Sequence, residues 1–363
     1  MVQKKENIVM FPFMAQGHII PFLALALHIE QTKNYSITFV NTPLNINKLK
    51  QSLPPNSSIT LLEIAFDSSD HDLPPNSENC DALPYSLVIK LLKASTSLRP
   101  AFKELVSGII CKCHGERPLC IISDIFFGWT ASVARELGVF HAIFSGSGAY
   151  GLACYYSVWT HLPHNKIDSD HEFELPDFEE ASKFHITQLP LSMLEADGTD
   201  SWSVFQGQNL PEWVNSNGVL FNTVEVFDQL GLMYFKRKLG CPVWPVGPVL
   251  LSLKNRAKVG KEGGVSPEFC KEWLDSKPVN SVLYISFGSM NTINKSQMMQ
   301  LAMALESEKG KEIRRKVFEV KEMIENAMID EEENKGSSVK AMDDFFNAAI
   351  SMKEKMIKIN NGI

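Results

Sequence analysis

The sequence predicts an α/β protein built on a doubly wound parallel sheet, followed by a partial second α/β unit and C-terminal helices. The first observation is a unit formed by an apolar run at 8–13, a polar turn at 15–18 and a helical segment with Pro21 in its first turn. The second is the alternation of strand-like and helix-like runs through residue 250. The third is a new strand-turn-helix pattern after a polar segment at 254–266.

Each predicted element in the first 250 residues depends on an apolar run of matching length and spacing. Strands are predicted where short apolar runs end in polar turns, at 8–13, 36–41, 59–66, 119–124, 141–145 and 218–222, and the segment at 243–248 closes this half of the chain. Helices are predicted from apolar residues at helical spacing, from Pro21, at 85–110 with a break near Pro100, at 129–137 and at 226–239. This alternation indicates a parallel sheet with helices on both faces.

After residue 266 the sequence predicts fewer strands. It predicts a short helix at 267–276, one strand at 281–289 and a helix at 295–306. From residue 307 it shows no strand candidate but two amphipathic helices, separated by a break at 335–336. We therefore expect four parts: a complete sheet domain at 1–250, a linker at 251–266, a remnant of a second sheet domain at 267–306 and C-terminal helices at 307–363.

The composition is that of an ordinary globular protein, since the 363 residues are 44% hydrophobic and 21% charged. The net charge of −7 argues against nucleic acid or an anionic membrane surface as a partner. We expect no membrane span, because no apolar run reaches the roughly 20 residues that one needs. The seven cysteines are scattered and odd in number, which favours reduced thiols and a cytoplasmic location.

Two polar residues, His18 and Asp124, follow strands of the predicted sheet. His18 lies in the turn after the first strand, and Asp124 ends a later apolar strand. Because the carboxyl ends of parallel strands meet at one edge of the sheet, these side chains are expected to lie close together. A carboxylate that is hydrogen-bonded to one imidazole nitrogen fixes the tautomer of the ring and stabilises the imidazolium that forms when the other nitrogen takes a proton. Considered singly, the histidine is best interpreted as a polar loop residue and the aspartate as a helix cap. Considered together, the two residues favour general-base chemistry.

A cysteine cluster offers a second candidate site. Cys111, Cys113, His114 and Cys120 lie close together in the sequence, but zinc sites usually separate paired cysteines by two or more residues. A loop of thiols before a strand is the preferred interpretation, and no metal site is predicted.

A glycine motif offers a third candidate. Gly146, Gly148 and Gly151 form a G-x-G-x-x-G pattern, which in dinucleotide-binding folds is followed by an acidic residue roughly 20 residues on. Asp168 and Asp170 fall near that distance but lie in a polar loop, and the motif follows a late strand rather than the first. A nicotinamide-dependent oxidoreductase therefore ranks well below the other interpretations.

The residues around His18 and Asp124 belong to a wider pattern that resembles the plant family-one UDP-dependent glycosyltransferases, whose fold is GT-B. Five segments carry the resemblance: FMAQGHIIP at 13–21, ISD at 122–124 with WT at 129–130, LFNTVE at 220–225, VGP at 246–248, and WLD at 273–275 leading to SVLYISFGS at 281–289. The resemblance covers residues 1–306, and the tail from Gly310 is similar to the C-terminal helices of that family. It implies a complete Rossmann-like domain that binds the acceptor and a truncated Rossmann-like domain that binds the donor.

The resemblance implies an inverting transfer of a sugar from a UDP-sugar to a hydroxyl group of a small plant metabolite. His18 would take the proton of that hydroxyl and Asp124 would orient His18. The acceptor pocket would include Phe13, Gly17, Trp129 and Gly146, and the turn at Gly288 and Ser289 would face the donor diphosphate. The UDP-sugar is a co-substrate, so no cofactor is expected, and the partners are the donor and a small hydroxylated acceptor.

The sequence departs from the family in one large respect. The family carries a donor-binding box with tryptophan, histidine and cysteine residues after the strand at 281–289, whereas here the last histidine is His185, the last cysteine Cys270 and the last tryptophan Trp273. We interpret this as an internal deletion, from alternative splicing or from an error in defining the gene. The expectation is a glycosyltransferase homologue with little or no transfer activity, or alternatively a non-catalytic small-molecule-binding or regulatory variant.

Overall fold

A computed structural model describes residues 5–167, 171–251, 265–279, 281–287 and 293–360. Most of the predicted linker at 251–266 lies outside the described residues, and so do Asp168, Asp170, Gly288 and Ser289. The predicted division into domains is therefore not tested at its linker and stays a prediction.

One parallel sheet of seven strands forms the centre of the described fold, and two short antiparallel ribbons lie outside it. The strands are β1 (Asn7–Phe11), β2 (Ser36–Asn41), β3 (Thr60–Glu63), β4 (Cys120–Asp124), β5 (Phe140–Ser145), β6 (Glu172–Phe173), β7 (Phe184–His185), β8 (Gly218–Phe221), β9 (Val243–Pro245), β10 (Asp330–Glu331) and β11 (Asn334–Lys335). The sheet order is β3-β2-β1-β4-β5-β8-β9, with every pair parallel. The predicted α/β class with a doubly wound parallel sheet is confirmed.

Helices up to residue 239 connect the strands and, together with the last helix, cover both faces of the sheet, and three more helices lie among the described residues between 267 and 327. They are α1 (Gln16–Lys33), α2 (Pro43–Ser52), α3 (Tyr85–Ser95), α4 (Arg99–Lys112), α5 (Trp129–Leu137), α6 (Ala149–His161), α7 (Leu191–Leu194), α8 (Ser201–Asn209), α9 (Glu225–Leu239), α10 (Pro267–Asp275), α11 (Lys295–Glu306), α12 (Glu308–Ala327) and α13 (Ser337–Asn360). The predicted long helix at 85–110 is divided into α3 and α4 by a short 3₁₀ turn just before Pro100, as the proline position indicated.

The central strand β1 is buried on both faces. Ile8 and Met10 point into one hydrophobic layer, while Val9 and Phe11 point into the layer on the opposite face, as the pleat of a strand requires. All four side chains are fully buried. A sheet covered on both sides explains why this strand is an uninterrupted apolar run rather than an alternating one.

The C-terminal helix α13 packs onto the sheet domain although it is distant from it in sequence. Phe345 is fully buried, with its ring centroid 6.0 Å from that of Phe140 in β5 and 5.3 Å from that of Trp244 in β9. The Ser338 hydroxyl donates a hydrogen bond of 2.5 Å to the carbonyl oxygen of Gly247. The tail therefore completes one of the hydrophobic layers of the sheet domain.

The prediction of a strand at 281–289 is wrong for 281–287, the part of this segment that the structure describes. Residues 281–287 form no strand, and the Tyr284 side chain is 86% exposed. A strand is stabilised by hydrogen bonds to neighbouring strands, and no described segment pairs with this one. Apolar β-forming residues alone could not produce a sheet here.

Replacing Phe345 with alanine should destabilise the sheet domain itself, because it removes a fully buried ring from the layer beneath α13. A Phe→Ala change in a core costs about 3–5 kcal/mol of unfolding free energy. Chemical denaturation followed by far-ultraviolet circular dichroism measures this loss. Ile359→Ala is the matched control, since Ile359 lies on the same helix and is 71% exposed. Equal stability of the two variants would contradict the packing of α13 described above.

Candidate active site

The candidate site lies where the strand order of the sheet reverses. β1 pairs with β2 on one side and with β4 on the other, so the connections from β1 and β4 diverge and leave a crevice at the carboxyl edge. Open α/β sheets bind their ligands at such a switch point. His18 lies in the first turn of α1, directly after β1, and Asp124 is the last residue of β4. The topology therefore brings together the two residues that the sequence singled out.

The two side chains are joined by a hydrogen bond of 2.8 Å between His18 Nδ1 and Asp124 Oδ2. The Asp124 side chain is only 1% exposed, and its other oxygen accepts the backbone N–H of Phe126 at 3.0 Å. The carboxylate is therefore held by both the histidine and its own loop. With Nδ1 engaged, the remaining imidazole nitrogen, Nε2, is the one that can take a proton from a ligand.

Opposing influences set the pKa of His18. Burial lowers it, because a buried imidazolium loses its hydration, but the charge of Asp124 and its hydrogen bond raise it. The aspartate prevails, and the pKa of His18 is raised above its usual value. The neutral, base-competent form therefore predominates only at a pH above that raised value.

His18 opens onto a cavity of about 420 Å³, which is within the range of sites for small molecules. The cavity wall is mostly apolar or glycine, and it is formed by Gly17, His18, Ile125, Phe126, Ser145, Gly146, Ser147, Gly148, Gly151, Leu152 and Tyr155. The Phe126 ring centroid lies 5.2 Å from that of His18. An aromatic or aliphatic ligand with a hydroxyl group near His18 matches this lining.

The structure separates the predicted acceptor residues into three places. Gly17 and Gly146 line the cavity beside His18. Phe13 is 1% exposed and packs edge-on against the His18 ring, with ring centroids 5.6 Å apart. Trp129 lines a neighbouring cavity of about 250 Å³, which shares Phe126 with the first. Trp129 therefore does not share a cavity with His18.

The G-x-G-x-x-G segment has a structural explanation. The Asp228 carboxylate accepts the backbone N–H groups of Ala149 and Tyr150, both at 3.1 Å, at the start of α6. A Cβ on Gly148 would lie 2.6 Å from Asp228 Oδ2, so a glycine is needed for this close approach. Diphosphates bind at helix N-termini through free N–H groups, and here a carboxylate occupies that position. The arrangement argues against the dinucleotide alternative.

The cysteine cluster is not brought together. Cys120 is fully buried within β4, whereas Cys111 is exposed near the end of α4. Among the residues that the structure describes, no group of three or more His, Cys, Asp or Glu could hold a metal ion. Within the same residues, no helix has the length and apolar character that crossing a membrane requires.

The residues that sequence reasoning missed are Phe126, Tyr155 and Asp228. Phe126 could have been found, because it lies two residues after Asp124 at the same sheet edge. The other two carried no local signal, since each reaches its position through the packing of helices distant in sequence.

The fold and the site together define a doubly wound α/β domain with a histidine–aspartate pair beside a cavity for a small molecule. Two curated relatives are similar to this chain. UDP-glycosyltransferase 92A1 of Arabidopsis thaliana is 53% identical over 307 residues, covering 83% of this chain and 62% of the relative. Crocetin glucosyltransferase 3 of Crocus sativus is 44% identical, covering 83% of this chain and 64% of the relative. No family model matches the chain.

Solved structures agree with these similarities. The crystal structure of Glycyrrhiza uralensis UGT73P12, complexed with glycyrrhetinic acid 3-O-monoglucuronide, matches with a TM-score of 0.66 and 26% identity. The match covers 84% of this chain and 61% of that chain. This chain is a homologue of the plant UDP-glycosyltransferases of GT-B fold, and it spans about three fifths of the length of the relatives it matches.

Replacing Asp124 with asparagine should lower the pKa of His18, because it removes the charge that outweighs burial while keeping a side chain of the same shape. The pH dependence of the His18 Hε1 chemical shift measures this, with the signal assigned by its loss in His18→Gln. The wild-type midpoint should lie above 6.5, the ordinary value for histidine, and the Asp124→Asn midpoint should lie below that of the wild type. Glu136→Gln removes an exposed carboxylate on α5 and is the control. Identical midpoints in wild type and Asp124→Asn would contradict the described pairing.

Proposed function

We propose that this chain is the acceptor-binding half of an inverting UDP-dependent glycosyltransferase and that it has little or no transfer activity by itself. The single observation that supports the acceptor site best is the 2.8 Å hydrogen bond between His18 and Asp124 at the wall of the 420 Å³ cavity. The ligand class is a small, mainly apolar molecule with a hydroxyl group. The cavity lining is mostly apolar, and His18 is a general base suited to an alcohol or a phenol.

The chemistry that this arrangement would serve is attack of an acceptor oxygen on the anomeric carbon of the donor sugar. His18 Nε2 would take the hydroxyl proton as the oxygen–carbon bond forms and the bond from carbon to the UDP oxygen breaks. Asp124 would stabilise the resulting imidazolium, since its charge already favours the protonated ring. Attack from the face opposite the leaving UDP inverts the anomeric centre.

The donor half is where this chain differs from an active enzyme. The resemblance assigns the donor diphosphate to Gly288 and Ser289, which lie outside the described residues, and the sequence lacks the tryptophan, histidine and cysteine residues of the family's donor box. The neighbouring residues 281–287 form no strand. Strong donor binding is therefore not expected. These two observations favour the second candidate function, that of a small-molecule-binding or regulatory variant. A cytoplasmic location remains part of the proposal.

Calorimetric titration of the purified chain should give binding heat with a simple phenol such as 4-hydroxybiphenyl, but none with UDP or UDP-glucose. The phenol has a complete cavity to enter, whereas the groups that would hold the uridine are missing. His18→Gln should retain phenol binding within a few fold, because the ring occupies the apolar part of the cavity.

Efficient turnover of UDP-glucose by the purified chain would contradict the proposed loss of activity. Absence of phenol binding by a chain that is folded by circular dichroism would contradict the proposed acceptor site.

A further inference from the structure

Helix α12 carries an apolar stripe that is largely open to solvent. The stripe consists of Ile313, Val317, Val320 and Ile324, which follow one another at intervals of four, three and four residues. Residues at these intervals lie along one side of a helix. Ile313 and Val317 are each 49% exposed and Val320 is 40% exposed, while Ile324 is half-buried. An amphipathic helix normally buries such a stripe against another element.

The spacing of the stripe is that of the contact positions of a two-stranded coiled coil. Those positions repeat every seven residues, with two apolar residues in each repeat. Val317 and Ile324 occupy the first contact position of successive repeats, and Ile313 and Val320 occupy the second. All four are β-branched residues, a type that suits a pair of helices at these positions. The partner that fits the stripe is therefore another helix with a similar stripe.

The charges of α12 are divided unevenly along its length. Residues 308–316 include five basic and two acidic residues, whereas residues 317–327 include one basic and three acidic residues. This distribution is the reverse of what the helix dipole favours, because acidic groups stabilise the N-terminus of a helix and basic groups its C-terminus. An antiparallel second copy of α12 would place the basic half of each helix beside the acidic half of the other. Charge complementarity thus favours a second copy of this chain as the partner.

The residues that flank the stripe favour the antiparallel orientation. In a parallel pair, Lys316 of each copy would face Lys321 of the other, and these like charges would repel. In an antiparallel pair, Lys316 would instead face Met323 of the other copy. The remaining flanking positions would bring Arg314 near Lys321, but Lys321 already has a counter-charge on its own helix, since its Nζ lies 3.7 Å from Glu325 Oε1.

The exposed apolar area is suited to a reversible dimer. Helices α11 and α12 present eight large apolar side chains that are 40–69% exposed: Met298, Met299, Met303, Ile313, Val317, Phe318, Val320 and Met323. At roughly 80 Å² each, they could bury at most about 600 Å² per copy. A stable interface buries about 800 Å² per partner. We therefore expect association that depends on concentration rather than a permanent dimer.

We propose that α12 is a self-association surface through which two copies of this chain form a reversible antiparallel helix pair. Val317 of each copy packs against Val320 of the other, and Ile313 packs against Ile324. The cavity beside His18 has no lining residue on α12, so this inference does not depend on the proposed function.

Sedimentation velocity of the full chain, from about 1 to about 200 µM, tests the association. The wild type should shift from monomer toward dimer as the concentration rises. Val317→Lys and Val320→Glu should each raise the dissociation constant at least about tenfold, because each places a charge without a partner in the contact. Ile359→Glu is the matched control, since it adds a charge at a 71% exposed position on α13, and it should behave as the wild type does.

Circular dichroism checks that each variant keeps its helices. The milder double variant Val317→Ala with Val320→Ala retains strong helix formers. It should also weaken the dimer, by about threefold or more, since it removes apolar surface from the contact.

A mixing experiment tests the orientation. When Val317→Lys and Val320→Glu chains are mixed in equal amounts, an antiparallel pair brings the introduced lysine of one copy against the introduced glutamate of the other. The mixture should therefore form dimers that neither variant forms alone, with a dissociation constant within about threefold of the wild-type value. In a parallel pair each introduced charge would face a valine, and mixing would restore nothing.

The outcomes decide separately on the surface and on its geometry. A wild type that stays monomeric at all concentrations would overturn the proposal, and so would a dimer that is equally stable in the folded Val317→Lys, Val320→Glu and double-alanine variants. A dimer that the single variants weaken but that mixing does not restore would overturn the antiparallel pairing.

Discussion

The hydrogen bond between His18 and Asp124 depends on the reversal of strand order at the centre of the sheet. β1 and β4 are neighbours although more than a hundred residues separate them, and the connections that leave them run in opposite directions. This divergence creates the crevice, places one partner on each side of it and leaves the wall open to a ligand. The aspartate is almost completely buried, so its charge acts on the imidazole with little screening by solvent.

The sheet domain and the C-terminal helix form one hydrophobic unit, which would give a chain with the proposed deletion a physical basis for folding. α13 contributes Phe345 and Met342 to the layer that also holds residues of β1 and α1. In contrast, no apolar side chain is buried among the described residues of 265–326, and Trp273 and Met303 are 47% and 69% exposed. The deletion proposed from the sequence would spare both parts of this unit and remove the interior of the proposed donor-binding half.

Local pattern in the sequence was enough to predict most of the sheet domain. The strand at 36–41 and the helix at 129–137 match the structure because their apolar residues face a core that a complete set of neighbours provides. The segment at 281–287 has equally strong β-forming residues but lacks such neighbours, so its prediction failed. The pairing of His18 with Asp124 was predictable from topology alone. The positions of Tyr155 and Trp129 were not, because they depend on how α5, α6 and α8 pack.

The central proposal is that the acceptor-binding half is complete and that the donor-binding half is truncated. A chimaera in which the C-terminal segment of the Arabidopsis relative replaces residues 267–363 tests this most directly, with transfer from UDP-glucose to 4,4′-dihydroxybiphenyl measured by chromatography. The account predicts that transfer appears in the chimaera and is lost when His18 is replaced by glutamine. A chimaera that binds UDP and the diol but transfers no sugar, or one whose transfer survives His18→Gln, would contradict it.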